Sequence, residues 1–231
     1  MGGRDCEYSG ERMDGWRIFE AMADVHARAP WPWQRDGRRK AIKMEVMGLV
    51  KLPQRKKEKK RTEELLLDLA RCNPVAKPAR NRRLVGRWRL AWSSQTANRF
   101  LRPDNVLGGY STQDISVQDG KITVENAVRW PGWDLGLLGR ASAQVDPKDR
   151  QGCKLKLRID SFELEVGGKE VQLLRSVLST PKMSVRDTPS GKRRVLNQRE
   201  GSITVLYLDD DIRVTLADNG LLFMHQRIQP V

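Results

Sequence analysis

From Leu84 onward the chain falls into segments in which apolar side chains recur at every second position, and this period of two constrains the fold more than any other feature of the chain. Leu84, Gly86, Trp88, Leu90 and Trp92 alternate with Val85, Arg87, Arg89, Ala91 and Ser93, the pattern of a strand with one apolar and one wet face. Asp119-Gly120 is a two-residue hairpin signal that sets Val117 opposite Ile122 and Ile115 opposite Val124. Leu155, Leu157 and Ile159 alternate with basic residues, and Phe162, Leu164 and Val166 continue in the opposite phase, so a bulge or bend is expected at Asp160-Ser161. Gly167-Gly168 then turns the chain to bring Leu164 to Val171 and Phe162 to Leu173. Residues 180–201 read as a long polar loop with a short strand at Val195, after which Ile203, Val205 and Tyr207 resume the alternation. Asn219-Gly220 joins the last two strands in a register that pairs Leu216 with Phe223 and Ile212 with Arg227. Roughly eight to ten short antiparallel strands at this spacing form a sandwich or a closed barrel, and a barrel of that size either holds one small ligand or fills itself with side chains.

The 231 residues suit one modest domain with an extension. No apolar run approaches the roughly 18 residues of a membrane-spanning helix. Three cysteines, at 6, 72 and 153, give neither a disulfide framework nor a zinc spacing, and two histidines supply little for a nucleophile and its base. No catalytic residue, metal ligand or cofactor site is therefore assigned. The net charge of +14 is concentrated: Arg38 to Arg61 holds 11 basic residues against Glu45 and Glu58, a net +9. Residues 1–57 read as a basic, mostly irregular extension, kinked at Ala29-Pro-Trp-Pro-Trp33 and expected to be dispensable for folding. A short helix follows from Glu58 to Cys72, with Leu65, Leu66 and Leu69 on one face, and ends at Asn73-Pro74. The barrel domain is accordingly placed at 58–231.

Several residues carry candidate roles. Asp209 to Asp211 invite a metal reading, but neighbouring strand residues face opposite sides and no calcium-loop pattern follows. In the register above, Asp210 and Arg227 share the apolar face, where a carboxylate and a guanidinium either brace the last hairpin or hold a ligand's polar head. Trp88 and Trp92 share the inward face of the first strand, as core aromatics or as walls of an apolar pocket. Trp130 and Trp133 lie in a loop and suit a membrane-contact rim or simple loop packing. Lys56, Lys57, Lys59 and Lys60, in the densest basic stretch, suit an anionic membrane surface, nucleic acid or a solvated linker.

Two blocks then resemble the plastid-lipid-associated, or plant and algal fibrillin, family. One is Asn73-Pro74 followed by Leu84-x-Gly86-x-Trp88-x-Leu90-x-Trp92-x-Ser94, with Ser93 where a threonine is usual. The other is Tyr207-Leu-Asp-Asp-Asp-Ile-Arg-Val214 with Asp218-Asn-Gly220, Phe223 and Arg227, departing from the family at Leu216-Ala217 and at His225, where an apolar residue is common. The resemblance covers about residues 62–229. It implies a mainly β, lipocalin-like antiparallel barrel that binds or organises lipophilic molecules (lipids, isoprenoids, pigments) at thylakoids or plastoglobules, without catalysis. Its expected partners are lipophilic small molecules and an anionic membrane surface or lipid droplet. The rival is a nucleic-acid-binding barrel using Arg87, Arg89, Lys154, Lys156 and Arg158, against which stands the absence of interleaved aromatics. An enzyme using Asp210 or His225 has no visible partner set.

Overall fold

The computed structural model describes residues 32–94, 109–118, 120–130, 132, 135–166, 169–171, 184–186, 194–196 and 200–229. Among the described residues, two helices, α1 (Pro32–Leu49) and α2 (Lys56–Arg71), precede two short 3₁₀ turns and eleven strands. The strands are β1 (Gly86–Ser93), β2 (Tyr110–Gln118), β3 (Lys121–Trp130), β4 (Leu135–Val145), β5 (Lys154–Val166), β6 (Lys169–Val171), β7 (Ser184–Arg186), β8 (Arg194–Leu196), β9 (Glu200–Leu208), β10 (Ile212–Ala217) and β11 (Leu222–Arg227). Hydrogen bonding runs β4-β3-β2-β1-β11-β10-β9-β5, and β5 pairs back onto β4, which closes an antiparallel barrel of eight strands. β6 adds to the end of β5, and β7 with β8 forms a separate ribbon.

Two apolar clusters show which way each strand faces. One gathers Trp88, Ile115, Val124, Ala141, Ala143, Leu155, Val205 and Leu208 from strands all round the barrel, so it is the interior. Leu84 and Ala79 of the 3₁₀ turns join it and stop one end, with the Ala79 N–H donating to the Gly152 carbonyl at 2.9 Å. The other cluster joins Ile42 and Val46 of α1 and Leu65, Leu66 and Leu69 of α2 to Trp92, Tyr207, Ile212, Val214 and Met224, so it lies between the helix pair and the outer face of β9, β10, β11 and β1. β10 is buried on both faces for this reason.

The hairpin at Gly120 has the expected register, with Ile115 opposite Val124 and Val117 opposite Ile122, and Gly120 takes the positive φ of 74° that the tight turn needs. The phase change in β5 is a bulge: Arg140 pairs with Ser161 and Ala141 with Ile159, leaving Asp160 over. Leu164 pairs with Val171 as expected, while Leu173 lies outside the described residues. β8 contains the short strand expected at Val195. Helix α2 begins two residues before the expected Glu58 and ends at Arg71.

Three expectations are corrected. The segment read as extension contributes α1, entered at Pro32, whose fixed φ suits a first helical turn; its Ile42 and Val46 belong to the core. Among the described side chains of this helix, Ile42, Val46, Met47 and Leu49 are apolar and packed against that core, and they are diluted by charges that engage neighbouring elements. Lys43 reaches β9 and β10, Glu45 takes Arg61, and Arg38 meets Asp68.

The last hairpin is one residue out of the expected register: Leu216 pairs with Leu222 and Ile212 with Gln226. The Gly220 N–H donates to the Ala217 carbonyl, the Ala217 N–H to the Leu221 carbonyl, and Gly220 has φ 81°. The loop is therefore a type I turn closed by a left-handed glycine, one residue longer than the two-residue turn assumed from Asn219-Gly220. A slip of one residue turns every side chain of a strand to the other face. Arg213 and Thr215 line the interior, and Ile212 and Val214 face the helices.

β1 supplies the third correction. Leu90 pairs with His225 but Trp92 with Met224, so Ala91 is bulged and Trp92 leaves the face it was expected to share with Trp88. The Trp92 indole N–H donates to Gln54 Oε1 at 2.7 Å, and Gln54 in turn donates to the Leu49 and Leu52 carbonyls. Trp92 thereby ties the α1–α2 turn to the barrel wall.

Candidate functional site

The stoppered end of the barrel is built around Trp88, whose side chain is fully buried. Its indole N–H donates to the Leu84 carbonyl at 3.0 Å, and two guanidinium groups lie over its ring, Arg227 at 4.1 Å and Arg213 at 5.0 Å from the ring centre. Arg227 is half-buried and directed at backbone: it donates to the carbonyls of Asp210 (2.7 Å), Val85 (3.0 Å) and Arg83. Gly86 fits here because its φ of 136° is open only to glycine and a Cβ would run into the Arg227 guanidinium.

Asp210 does meet Arg227, but through its carbonyl. Its carboxylate is exposed and pairs with Arg83 Nε at 2.8 Å, so the pair expected on the inward face is a brace across the outside of the barrel end. The three aspartates diverge. Asp209 accepts from Lys43 Nζ (2.6 Å), the Tyr207 hydroxyl (2.6 Å) and the N–H groups of Asp211 (2.8 Å) and Ile212 (2.7 Å), and Asp211 takes the other side of Lys43 at 2.9 Å. Burial alone would raise the Asp209 pKa; Lys43, Tyr207 and the two N–H groups outweigh it and hold the carboxyl below its ordinary value. The Tyr-Leu-Asp block is a turn cap that also docks α1. Asn73 performs the same service one strand earlier, its amide donating to the Leu206 carbonyl at the bulge of β9 and accepting from Leu208. Among the described residues, no group of three His, Cys, Asp or Glu side chains is placed to hold a metal ion.

One tier above Trp88, Arg213 and His225 face each other across β10 and β11, with Leu90 opposite His225 on β1. Arg213 is fully buried; one guanidinium nitrogen, Nη2, donates to Gln113 Oε1, while Nε and Nη1 have no acceptor. Burial and the nearby charge of Arg227 push its pKa down to about 9, so it remains a cation at neutral pH. His225 Nδ1 is also buried without a partner. Burial and the Arg213 charge lower the His225 pKa well below 6.5 and keep the ring neutral. An unfolded chain binds a proton on this ring near pH 6.5 where the folded one does not, so stability falls as the pH drops below about 6.5, by at most about 1.4 kcal/mol per pH unit. His225→Leu flattens that fall in urea titrations between about pH 6.5 and 5; an unchanged slope would mean that the ring is not held neutral.

Sequence reasoning missed Arg213 as a site residue because it assumed that Ile212 and Val214 filled the barrel. The available signal was an arginine between apolar neighbours in a strand whose other face is covered by helices.

Above this tier the interior face carries Leu90, Val128, Leu137 and Phe223, all half-buried, leading away from the stopper. Trp130, at the end of β3, is half-buried with an unpartnered indole N–H; Trp133 lies outside the described residues. Lys56, Lys57, Lys59 and Lys60 form the first turn of α2, with Lys59 half-buried and the others exposed. The preceding turn displays Leu52, 50% exposed. On the strands, Arg87, Lys156 and Arg158 are engaged by Asp114, Asp146 and Asp160, which weakens the case for a phosphate-tracking wall.

No helix among the described residues is long and apolar enough to cross a membrane. Comparison with curated proteins finds no matching relative. The PAP_fibrillin family model matches residues 41–226, from the inner turn of α1 through β11, and takes in both the helix pair and the closed barrel. The chain belongs to this family, that of the plastid-lipid-associated proteins.

Proposed function

We propose that the protein is a non-enzymatic carrier or organiser of small lipophilic molecules at plastid membranes or plastoglobules, with the ligand seated in the barrel. The observation that carries this reading is the row of half-buried apolar side chains, Leu90, Val128, Leu137 and Phe223, on the inner face of a closed barrel stopped at one end by Leu84 and Trp88. An interior packed for stability alone buries such residues fully, as Val124, Leu155 and Val205 are buried nearer the stopper. Trp88 forms the floor, with Arg227 fixing it from beneath. Attachment to an anionic membrane falls to the first turn of α2, where Lys56, Lys57 and Lys60 flank the protruding Leu52, with Lys59 on the same turn. Each cation near such a surface contributes on the order of 1 kcal/mol.

Organic extraction of the protein purified from its own source, followed by mass spectrometry, tests the reading: about one lipophile per chain supports it, and a protein recovered empty from lipid-rich fractions contradicts it. Flotation with anionic vesicles tests the attachment. Binding falls with added salt and on replacement of Lys56, Lys57 and Lys60 by glutamine; equal flotation with neutral vesicles would remove the electrostatic part.

A further inference from the structure

We infer that Arg213 and His225 form an anion subsite inside the barrel that receives the carboxylate of a single-chain lipophile, the chain running from there past Leu90 and Phe223. This rests on the reading that the interior holds a lipophile, and it names the class.

The case begins with a charge that has no counterpart. Arg213 is completely buried, yet no carboxylate among the described residues pairs with it, and the charge it shares the Trp88 ring with is another cation, Arg227. Arg227 meets three carbonyl groups, whereas Arg213 meets only Gln113 and leaves Nε and Nη1 empty. A buried cation in this state is costly, and buried charges in folded proteins are paired. A guanidinium offers donors in a planar fork that matches a carboxylate, and Gln113, accepting from one of them, holds the fork in place. The unpartnered Nδ1 of His225, on the facing position of β11, supplies a further polar contact from the same side.

The surroundings select the rest of the molecule. Beyond this tier the inner face offers apolar side chains, with Phe223 next along β11 from His225, their ring centres 6.4 Å apart. One cation without an acid matches one negative charge, and the two side chains with buried, unpartnered nitrogens are too few for a doubly charged phosphate with three oxygens to satisfy. A monocarboxylate on an apolar chain is the ligand that this combination recognises.

The test compares oleate with oleyl alcohol, which keeps the chain and removes the charge, by titration calorimetry on the full chain. The wild-type protein binds oleate at least about tenfold more tightly than the alcohol, and Arg213→Met lowers oleate affinity to the level of the alcohol. Arg213→Lys, which keeps a charge but loses the fork, falls between the two. Wild type binding both equally would overturn the carboxylate subsite and leave the lipophile reading standing; binding neither would overturn both. A measurement free of substitutions guards against a misfolded variant: the ¹³C resonance of carboxyl-labelled oleate bound to the wild-type protein stays at the ionised position as the pH falls through the ordinary carboxylate range. A bound carboxyl that titrates there like an exposed one overturns the assignment.

Discussion

A chain shortened to begin at Lys56 loses roughly 4–6 kcal/mol of unfolding free energy, taking fully buried apolar side chains at about 1.5–3 kcal/mol each. Ile42 and Val46 supply most of it, with Met47 and Leu49 adding what they cover. The loss is not confined to α1. Leu65, Leu66 and Leu69 of α2 and the outer faces of Ile212 and Val214 lose part of their cover, and Asp209, half-buried, loses Lys43. Domains are stable by roughly 5–15 kcal/mol, so the shortened chain stands at the edge of folding. Urea unfolding followed by circular dichroism measures this, against a control chain beginning at Pro32. A shortened chain as stable as the control would mean that α1 is an ornament on a self-sufficient barrel.

Arg227→Ala costs about 2 kcal/mol, because a charged donor to three carbonyls disappears and the Trp88 ring loses one of its two covers. Asp210→Ala costs little: its carboxylate is exposed and holds only Arg83, and the carbonyl that Arg227 uses survives the substitution. The two effects add to within about half a kcal/mol in a double-mutant cycle. Coupling of several kcal/mol would require carboxylate and guanidinium to meet in a dry interior, as the uncorrected register has them. Gly86→Ala, which drives a methyl group into the Arg227 guanidinium, reproduces part of the Arg227 loss without touching the side chain itself.

These two results turn on the places where the sequence was and was not legible. Alternation fixed which residues belong to strands, and the Gly120 hairpin could be registered because Gln118 does pair with Lys121, the register that a two-residue connection sets. The bulge at Asp160 was visible because it reverses the phase of the leucines on either side. At Asn219-Gly220 the same dipeptide chemistry serves two turn types that differ by one residue, and both leave an apolar face on β10 because helices cover one side while the interior takes the other. Periodicity has no means of choosing between two buried faces. The Ala91 bulge was hidden because Leu90 and Trp92 are both apolar, so no reversal of phase announces it. Helix α1 escaped notice because its charges are spent on Asp68, Arg61 and the β9–β10 turn, residues distant in sequence. The same slip concealed Arg213. A residue assigned to the solvent side of the last hairpin is the most buried cation in the described part of the molecule.

That the barrel interior is the seat of a lipophile is tested most directly by adding one bulky side chain to either face of the same strand. Val128 and Ala127 are adjacent in β3 and point in opposite directions, Val128 into the barrel and Ala127 away from it. Saturable binding of a fluorescent fatty acid, measured by titration, is lost or weakened at least about tenfold in Val128→Trp and unchanged in Ala127→Trp, both variants keeping the wild-type unfolding midpoint to within a few tenths of a molar in urea. Equal affinity in the two variants would place the bound lipophile on the outside of the barrel and contradict the account.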